Sequence, residues 1–237
     1  MNLILFEPGD FERPLPLDDP RAVHIRKVLR RAEGDTFDGG MIDGPRGKVL
    51  LEALTNEGIR LAFQPLESPG EPEPVTLLIG LPRPQTARKI LQEATAMGVA
   101  GIHFHLTARG DPGYARSSLW SSGEYRRHLI TGCEQAFATR LPVLTHGRSL
   151  EDVIEDLPDG PARFALDNYE ADCRLYDAPL TSRSATLAIG SERGWTAAER
   201  DKLRQSGFLL TDLGPRVLRT ETATVAGLAI LRARLGL

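Results

Sequence analysis

An α/β protein is expected, with a C-terminal domain built on a mainly parallel sheet and a small β-barrel before it. The expectation rests on three features of the chain. From residue 75 onward, short apolar runs alternate with helical patterns. Before residue 67, closely spaced turn signals separate short strand-like segments. Between them lies Glu67-Ser-Pro-Gly-Glu-Pro-Glu-Pro74, which cannot continue a helix and reads as a linker. The expected domains are therefore residues 1–70 and 75–237. A length of 237 residues suits one large or two modest domains.

The elements follow in order. Residues 3–6 form an apolar run suited to pairing in a sheet. Residues 21–31 have helical spacing, with Val23, Ile25, Val28 and Leu29 set among His24, Arg26, Lys27, Arg30 and Arg31. Acidic residues outnumber basic ones over residues 1–74, so this helix is a basic island. Gly34-Asp35, Gly39-Gly40 and Asp43-Gly44-Pro45 then punctuate strands such as 48–54 and 59–66. Residues 75–81 are continuously apolar, as a strand buried on both faces of a parallel sheet must be. In residues 86–98, Ala87, Ile90, Leu91, Ala94 and Met97 recur at helical spacing, and Gly98 ends the helix. Residues 99–106 are the next strand. A helix over 123–138 follows, with Ser121-Ser-Gly-Glu124 as its capping box. Strands are expected at 164–167 and 186–190. A second capping box, Thr196-Ala-Ala-Glu199, opens a helix that stops at Gly207. Residues 208–213 are the last strand, and 223–235 the closing helix.

Composition narrows the function. Hydrophobic residues are 41% and charged residues 26%, enough apolar material for a core without disulfides or metals. The net charge of −3 excludes an overall basic footprint, so any RNA contact must come from local patches. Cys133 and Cys173 fit neither a disulfide framework nor a zinc spacing. No signal-peptide pattern appears, and no apolar run approaches the roughly 18 residues of a membrane span. A reduced, cytoplasmic setting is expected, with no membrane. His103 and His105 share a strand face, but no further ligand lies at metal spacing, so they read as structural and no metal is expected. Walker, dinucleotide-binding, H-E-x-x-H and G-x-S-x-G motifs do not occur.

Ligands of parallel sheets sit where strands end and loops open into helices. Two such loops stand out. In Gly190-Ser-Glu-Arg-Gly-Trp-Thr196, two glycines allow backbone to approach a ligand, although an ordinary strand-to-helix loop has this composition too. In Leu213-Gly-Pro-Arg-Val-Leu-Arg-Thr-Glu-Thr-Ala223, two arginines, a glutamate and two threonines crowd the turn after a buried strand. Leu218 is placed there to wall a flat ring. The alternative is a capped helix start with its arginines in solvent.

These loops, read together as 189–199 and 207–223, resemble the paired signature of the 16S ribosomal RNA (uracil-N3) methyltransferases. That is the RsmE family, of the SPOUT class of S-adenosylmethionine-dependent enzymes. The basic helix His24-Ile-Arg-Lys-Val-Leu-Arg30 with Gly34-Asp35 is similar to the family's PUA-like barrel. Residues 90–99 and Glu134-Gln135 are similar to two further family stretches. The resemblance implies a trefoil knot in the C-terminal domain, a homodimer, and methylation of uracil N3 in the 16S ribosomal RNA of the small ribosomal subunit. It implies S-adenosylmethionine as cofactor, held by Leu166, Ile189, Gly190, Glu192, Gly194, Leu213, Gly214, Val217, Leu218, Thr222 and Ala223. Arg219 is expected to orient the base and stabilise its developing charge, and Glu221 to accept a proton or to fix Arg219. His24, Arg26, Lys27, Arg30 and Arg83 are expected to contact RNA. Ser191, Arg193, Met97 and Ala138 depart from the family pattern. They leave open an RNA-binding protein of the same fold, or a methyltransferase for another RNA, with weakened catalysis.

Overall fold

A computed structural model describes residues 3–237. It divides into two units. The first holds the described residues up to Glu71 together with Cys133–Leu141; the second holds Pro72–Gly132 and Pro142–Leu237.

In the first unit, β1 (Ile4–Phe6) lies parallel to β2 (Thr36–Met41). β3 (Arg46–Thr55) and β4 (Gly58–Glu67) continue the sheet antiparallel, in the order β1-β2-β3-β4. An isolated bridge joins Leu15 to Ile59. β3 alternates, burying Gly47, Val49 and Leu51, and Val49 and Leu51 join Ile4, Phe6, Ile25 and Ile59 in one core. The basic segment is α1 (Pro20–Val23), capped by Asp19, running into a π-helical turn at His24–Val28. It stops earlier than the spacing suggests. Leu29 donates its amide to the His24 carbonyl, and Arg30 turns to a left-handed φ of 53°. Arg30 therefore marks the end of the helix rather than a place on its basic face.

Residues 133–141 group with this unit although they are distant in sequence. Leu5 donates its amide to Glu134 Oε1 at 3.1 Å, and Thr139 donates its hydroxyl to the Gly44 carbonyl at 2.6 Å. Burial pushes the Glu134 carboxyl above its usual range. A contiguous division at the linker did not foresee this. The linker is also shorter than expected, because β4 runs to Glu67 and pairing resumes at Glu73.

The second unit runs in chain order through β5 (Glu73–Gly80), α2 (Pro84–Ala96), β6 (Val99–His105), α3 (Pro112–Ala115), α4 (Ser118–Ser121) and α5 (Glu124–Ala136), the last of which belongs to it only as far as Gly132. It continues through β7 (Val143–Arg148), α6 (Leu150–Glu155), β8 (Ala162–Leu166), β9 (Cys173–Arg174) and β10 (Ala185–Ile189). It closes with α7 (Ala197–Gln205), β11 (Leu209–Asp212) and α8 (Thr220–Leu235). All seven strands are parallel, in the order β7-β6-β5-β10-β8-β11-β9. The central β10 is buried at every position, as its apolar run requires. α8 reaches this strand because residue 227 is glycine. A Cβ there would stand 2.8 Å from Leu187 Cδ2.

Several local expectations change. Ser121 does not cap α5. It is the last residue of α4, and its hydroxyl donates back to the Ser117 carbonyl. Glu124 instead accepts from Arg88 at 2.8 Å. The Thr196–Glu199 box forms as read. α8 begins three residues before the expected Ala223, with Arg219 in the cap position. β7 and α6 were not legible as apolar runs, because β7 is a partly exposed edge strand with Val143 largely in solvent. Their one clear signal is the Ser149–Asp152 capping box. His103 bonds Thr145 Oγ1 at 2.8 Å, while His105 is fully buried. Among the described residues, no helix is long and apolar enough to cross a membrane.

The end of β5 is the tightest point beneath the strand-end loops. A Cβ on Gly80 would lie 2.6 Å from the Ser191 amide nitrogen and 2.7 Å from Thr107 Cγ2. Backbone cannot yield there cheaply. Gly80→Ala is expected to cost about 1–3 kcal/mol in urea unfolding, the usual range for overpacking. A change within error would show that the loop after β10 moves freely.

Candidate active site

The strand order determines where a site can form. β6 and β7 lie on one side of β5, while β10, β8 and β11 lie on the other, so the chain reverses its direction of growth beside β5. The loops leaving β5, β10, β8 and β11 share one edge of the sheet. They enclose a cavity of about 800 Å³, within the range of small-molecule sites.

Each wall has its own support. After β10, Gly190 packs against its own loop: a Cβ there would meet the Gly194 backbone at 3.2 Å. Gly194 takes a left-handed φ of 64°, which a side chain would strain. Trp195 then turns inward and donates its indole N–H to the Leu166 carbonyl at 2.9 Å, tying this loop to the end of β8. Its ring stacks on His105, with centroids 5.6 Å apart and planes 6° from parallel. Burial lowers the His105 pKa, so the ring is neutral, and Nδ1 lies 3.0 Å from the Leu106 carbonyl.

After β8, Asp167 is nearly inaccessible. Its Oδ1 accepts from the amides of Tyr169 and Glu170 at 2.6 and 2.7 Å, and its Oδ2 accepts from Arg200 Nε at 2.7 Å. After β11, Asp212 holds the turn, accepting from Gly214 N at 2.8 Å and from Arg174 at 2.6 Å. After β5, the Arg83 amide donates to Glu192 Oε1 at 3.1 Å. Lys89 reaches Glu221 at 3.3 Å in the first turn of α8. The Glu221 carboxyl is held below its usual range by its own backbone amide and then by Lys89, against the opposing effect of burial.

The electrostatic outcome is asymmetric. Asp167, Asp212, Glu192 and Glu221 each face a cation. Among the described residues, Arg109, Arg193, Arg216 and Arg219 line the cavity without forming an ion pair, the Arg109 guanidinium resting instead on the Arg193 carbonyl at 3.4 Å. The rim is thus locally cationic on a chain of net charge −3. It suits a polyanion at the rim.

Most of the expected residues meet here. Leu166, Ile189, Gly190, Glu192, Gly194, Leu213, Val217, Leu218, Ala223, Arg219, Glu221 and Arg83 all line the cavity. Gly214 and Thr222 do not. Gly214 shapes the turn at a φ of 125°, and Thr222 is exposed one residue before Ala223. Of the other basic residues, Arg26 and Lys27 line a shallow depression of the first unit together with Arg31. His24 and Arg30 lie outside that depression. The sequence reading passed over Asp167, Tyr169, Arg109 and Arg216. An aspartate ending a strand, with an aromatic two residues on, was the available signal for the first two. Among the described residues, no cluster of His, Cys, Asp and Glu could hold a metal ion.

Residues 69–232 match the family described as RNA methyltransferase domain. The chain is 34% identical to ribosomal RNA small subunit methyltransferase E of Treponema pallidum, over 98% of this chain and 91% of that protein. It is 27% identical to ribosomal RNA small subunit methyltransferase E 1 of Borreliella burgdorferi, over 99% of each. A Legionella pneumophila methyltransferase, solved with the cofactor SAM bound, superposes with a TM-score of 0.79 at 26% identity, covering 99% of this chain and 98% of that one.

The buried Asp167–Arg200 pair supplies a test of how the site is held. Asp167→Ala leaves the Arg200 charge with only the more exposed Glu170 at 3.5 Å. Chemical unfolding is expected to show a loss of about 3–5 kcal/mol, as for other broken buried pairs. A loss below about 1 kcal/mol would place the pair among exposed ones.

Proposed function

The chain belongs to the ribosomal RNA small subunit methyltransferase E family, and from that premise we propose that it methylates N3 of a uracil in the 16S ribosomal RNA of the small subunit, using S-adenosylmethionine. The observation that carries this reading is one cavity whose lining carboxylates Asp167, Asp212, Glu192 and Glu221 face cations, while four arginines, Arg109, Arg193, Arg216 and Arg219, form no ion pair among the described residues and outweigh the single unpaired carboxylate, Asp111.

The cavity fits the cofactor. Its volume is sufficient, and the Gly190–Gly194 loop brings backbone to its wall. Leu166, Ile189, Gly190, Glu192, Gly194, Leu213, Val217, Leu218 and Ala223 would hold the cofactor, with Gly214 and Thr222 shaping the turn and helix behind them. When bound, it supplies a methyl group on a positively charged sulfur. The chain's own task is then to align the uracil and exclude competitors.

For N3 to attack, its proton must pass to solvent; the negative charge this leaves spreads over the two neighbouring oxygens and is taken up as the N3–carbon bond forms and the carbon–sulfur bond breaks. Arg219 lines the cavity without an ion-pair contact, its charge reaching Glu221 only at longer range, so its guanidinium is available to that charge. Glu221 serves best by holding Lys89 and the start of α8. A carboxylate stabilised in its charged form is a poor proton acceptor. Arg109, Arg193, Arg216 and Arg83 would take the RNA phosphates at the rim, and Arg26 and Lys27 those at the first unit.

Arg193 does not favour the weakened reading. The left-handed residue of the loop is Gly194, and Arg193 is not among the residues of positive φ, so this departure from the family pattern carries no backbone strain. The same reading includes a PUA-like closure of the first unit, a cytoplasmic setting, and a trefoil knot. It also includes a homodimer. Val217, 77% exposed, and Val225 on α8 are apolar side chains that a second copy would cover.

The direct test is methyl transfer from labelled S-adenosylmethionine to small subunits lacking the modification, with naked 16S RNA alongside. Label is expected in 3-methyluridine after digestion, and label in another nucleoside would overturn the assignment. Arg219→Ala is expected to abolish transfer while S-adenosylhomocysteine affinity, measured by calorimetry, stays within a few-fold. Equal loss of both would refute the separate role given to Arg219.

A further inference from the structure

We propose that the Tyr169 ring is the stacking platform for the uracil drawn out of the RNA, held in place by the buried Asp167–Arg200 pair; this rests on the function proposed above. N3 lies on the base-pairing edge of uracil. An enzyme reaches it only after the base leaves its stack, and that step forfeits the stacking energy of the RNA. A rigid aromatic face at the site returns part of it.

Tyr169 supplies such a face. It lines the cavity, yet its side chain is 82% exposed. Single exposed aromatics are common, so exposure alone carries nothing. The loop beneath is what distinguishes this one. Asp167 Oδ1 accepts the Tyr169 and Glu170 amides and fixes the backbone under the ring. Arg200 fixes Asp167 and lies 5.6 Å from the ring centroid, so the ring is backed by a guanidinium that is itself buried. Arg204 braces Glu170 from the other side at 2.8 Å. A flexible, mostly hydrated side chain would need none of this. The supports fix the backbone beneath the ring and set Arg200 behind one of its faces before RNA arrives, which lowers the ordering cost of binding. Arg193 and Arg109, which line the same cavity without an ion pair, would take the phosphates flanking the extruded base.

The alternative is structural, with the ring shielding the Asp167–Arg200 pair from water. The two roles separate experimentally. The substrate is the 16S fragment that the wild-type enzyme labels, compared with the same fragment abasic at the labelled position. Tyr169→Ala is expected to weaken binding of the intact fragment about tenfold, the scale of one stacked base, and to leave the abasic fragment unchanged. Tyr169→Trp is expected to restore the intact fragment, and S-adenosylhomocysteine affinity is expected to hold. Equal weakening of both fragments, no weakening of either, or a fall in S-adenosylhomocysteine affinity would each overturn the proposal. A fall in thermal stability with RNA affinity intact would assign the shielding role. If the wild type labels no uridine, the proposed reaction fails by itself. The platform is then read from filter binding of naked 16S RNA, where an unchanged affinity of Tyr169→Ala overturns it.

Discussion

The parallel sheet, with β10 lying between β5 and β8, is the constraint on which the rest depends. Because all strands run the same way, their carboxyl ends share one edge. Because β10 sits centrally, the loops after β5, β10, β8 and β11 become neighbours although they are far apart in sequence. The hydrogen bond from the Trp195 indole to the Leu166 carbonyl fastens two of these loops together. Gly80 keeps the end of β5 low enough for the loop after β10 to pass over it.

Charge is organised on this frame. The carboxylates at the strand ends shape turns: Asp167 accepts two backbone amides and a guanidinium, Asp212 one amide and a guanidinium, and Glu192 the amide of Arg83. Their negative charge is thereby neutralised locally. The arginines of the loops after β6, β10 and β11 are left to define the field at the cavity mouth. An acidic protein can in this way present a cationic site to RNA.

Legibility in the sequence followed burial and local chemistry. β5 and β10 were readable because strands buried on both faces must be continuously apolar. The Thr196–Glu199 box was readable because capping is settled within four residues. Ser121 showed the limit of that rule. The same local pattern was taken over by the preceding turn, and Glu124 was claimed by Arg88, 36 residues away. β7 escaped notice because an edge strand need not be apolar. Asp167 escaped because its partner Arg200 lies 33 residues on, and nothing in either neighbourhood announces the other.

The sequence by itself determined the α/β class, most of the strands and helices, and the two loops that form the main walls of the site. These depend on periodicity, turn chemistry and short motifs, which act between residues close along the chain. Only the tertiary structure decided which residues became partners. It tied Glu134 to the first unit, gave Glu221 to Lys89, and left Arg219 unpaired at the cap of α8. Pairing of buried charges is set by which strand ends meet, and strand order is a property of the whole sheet.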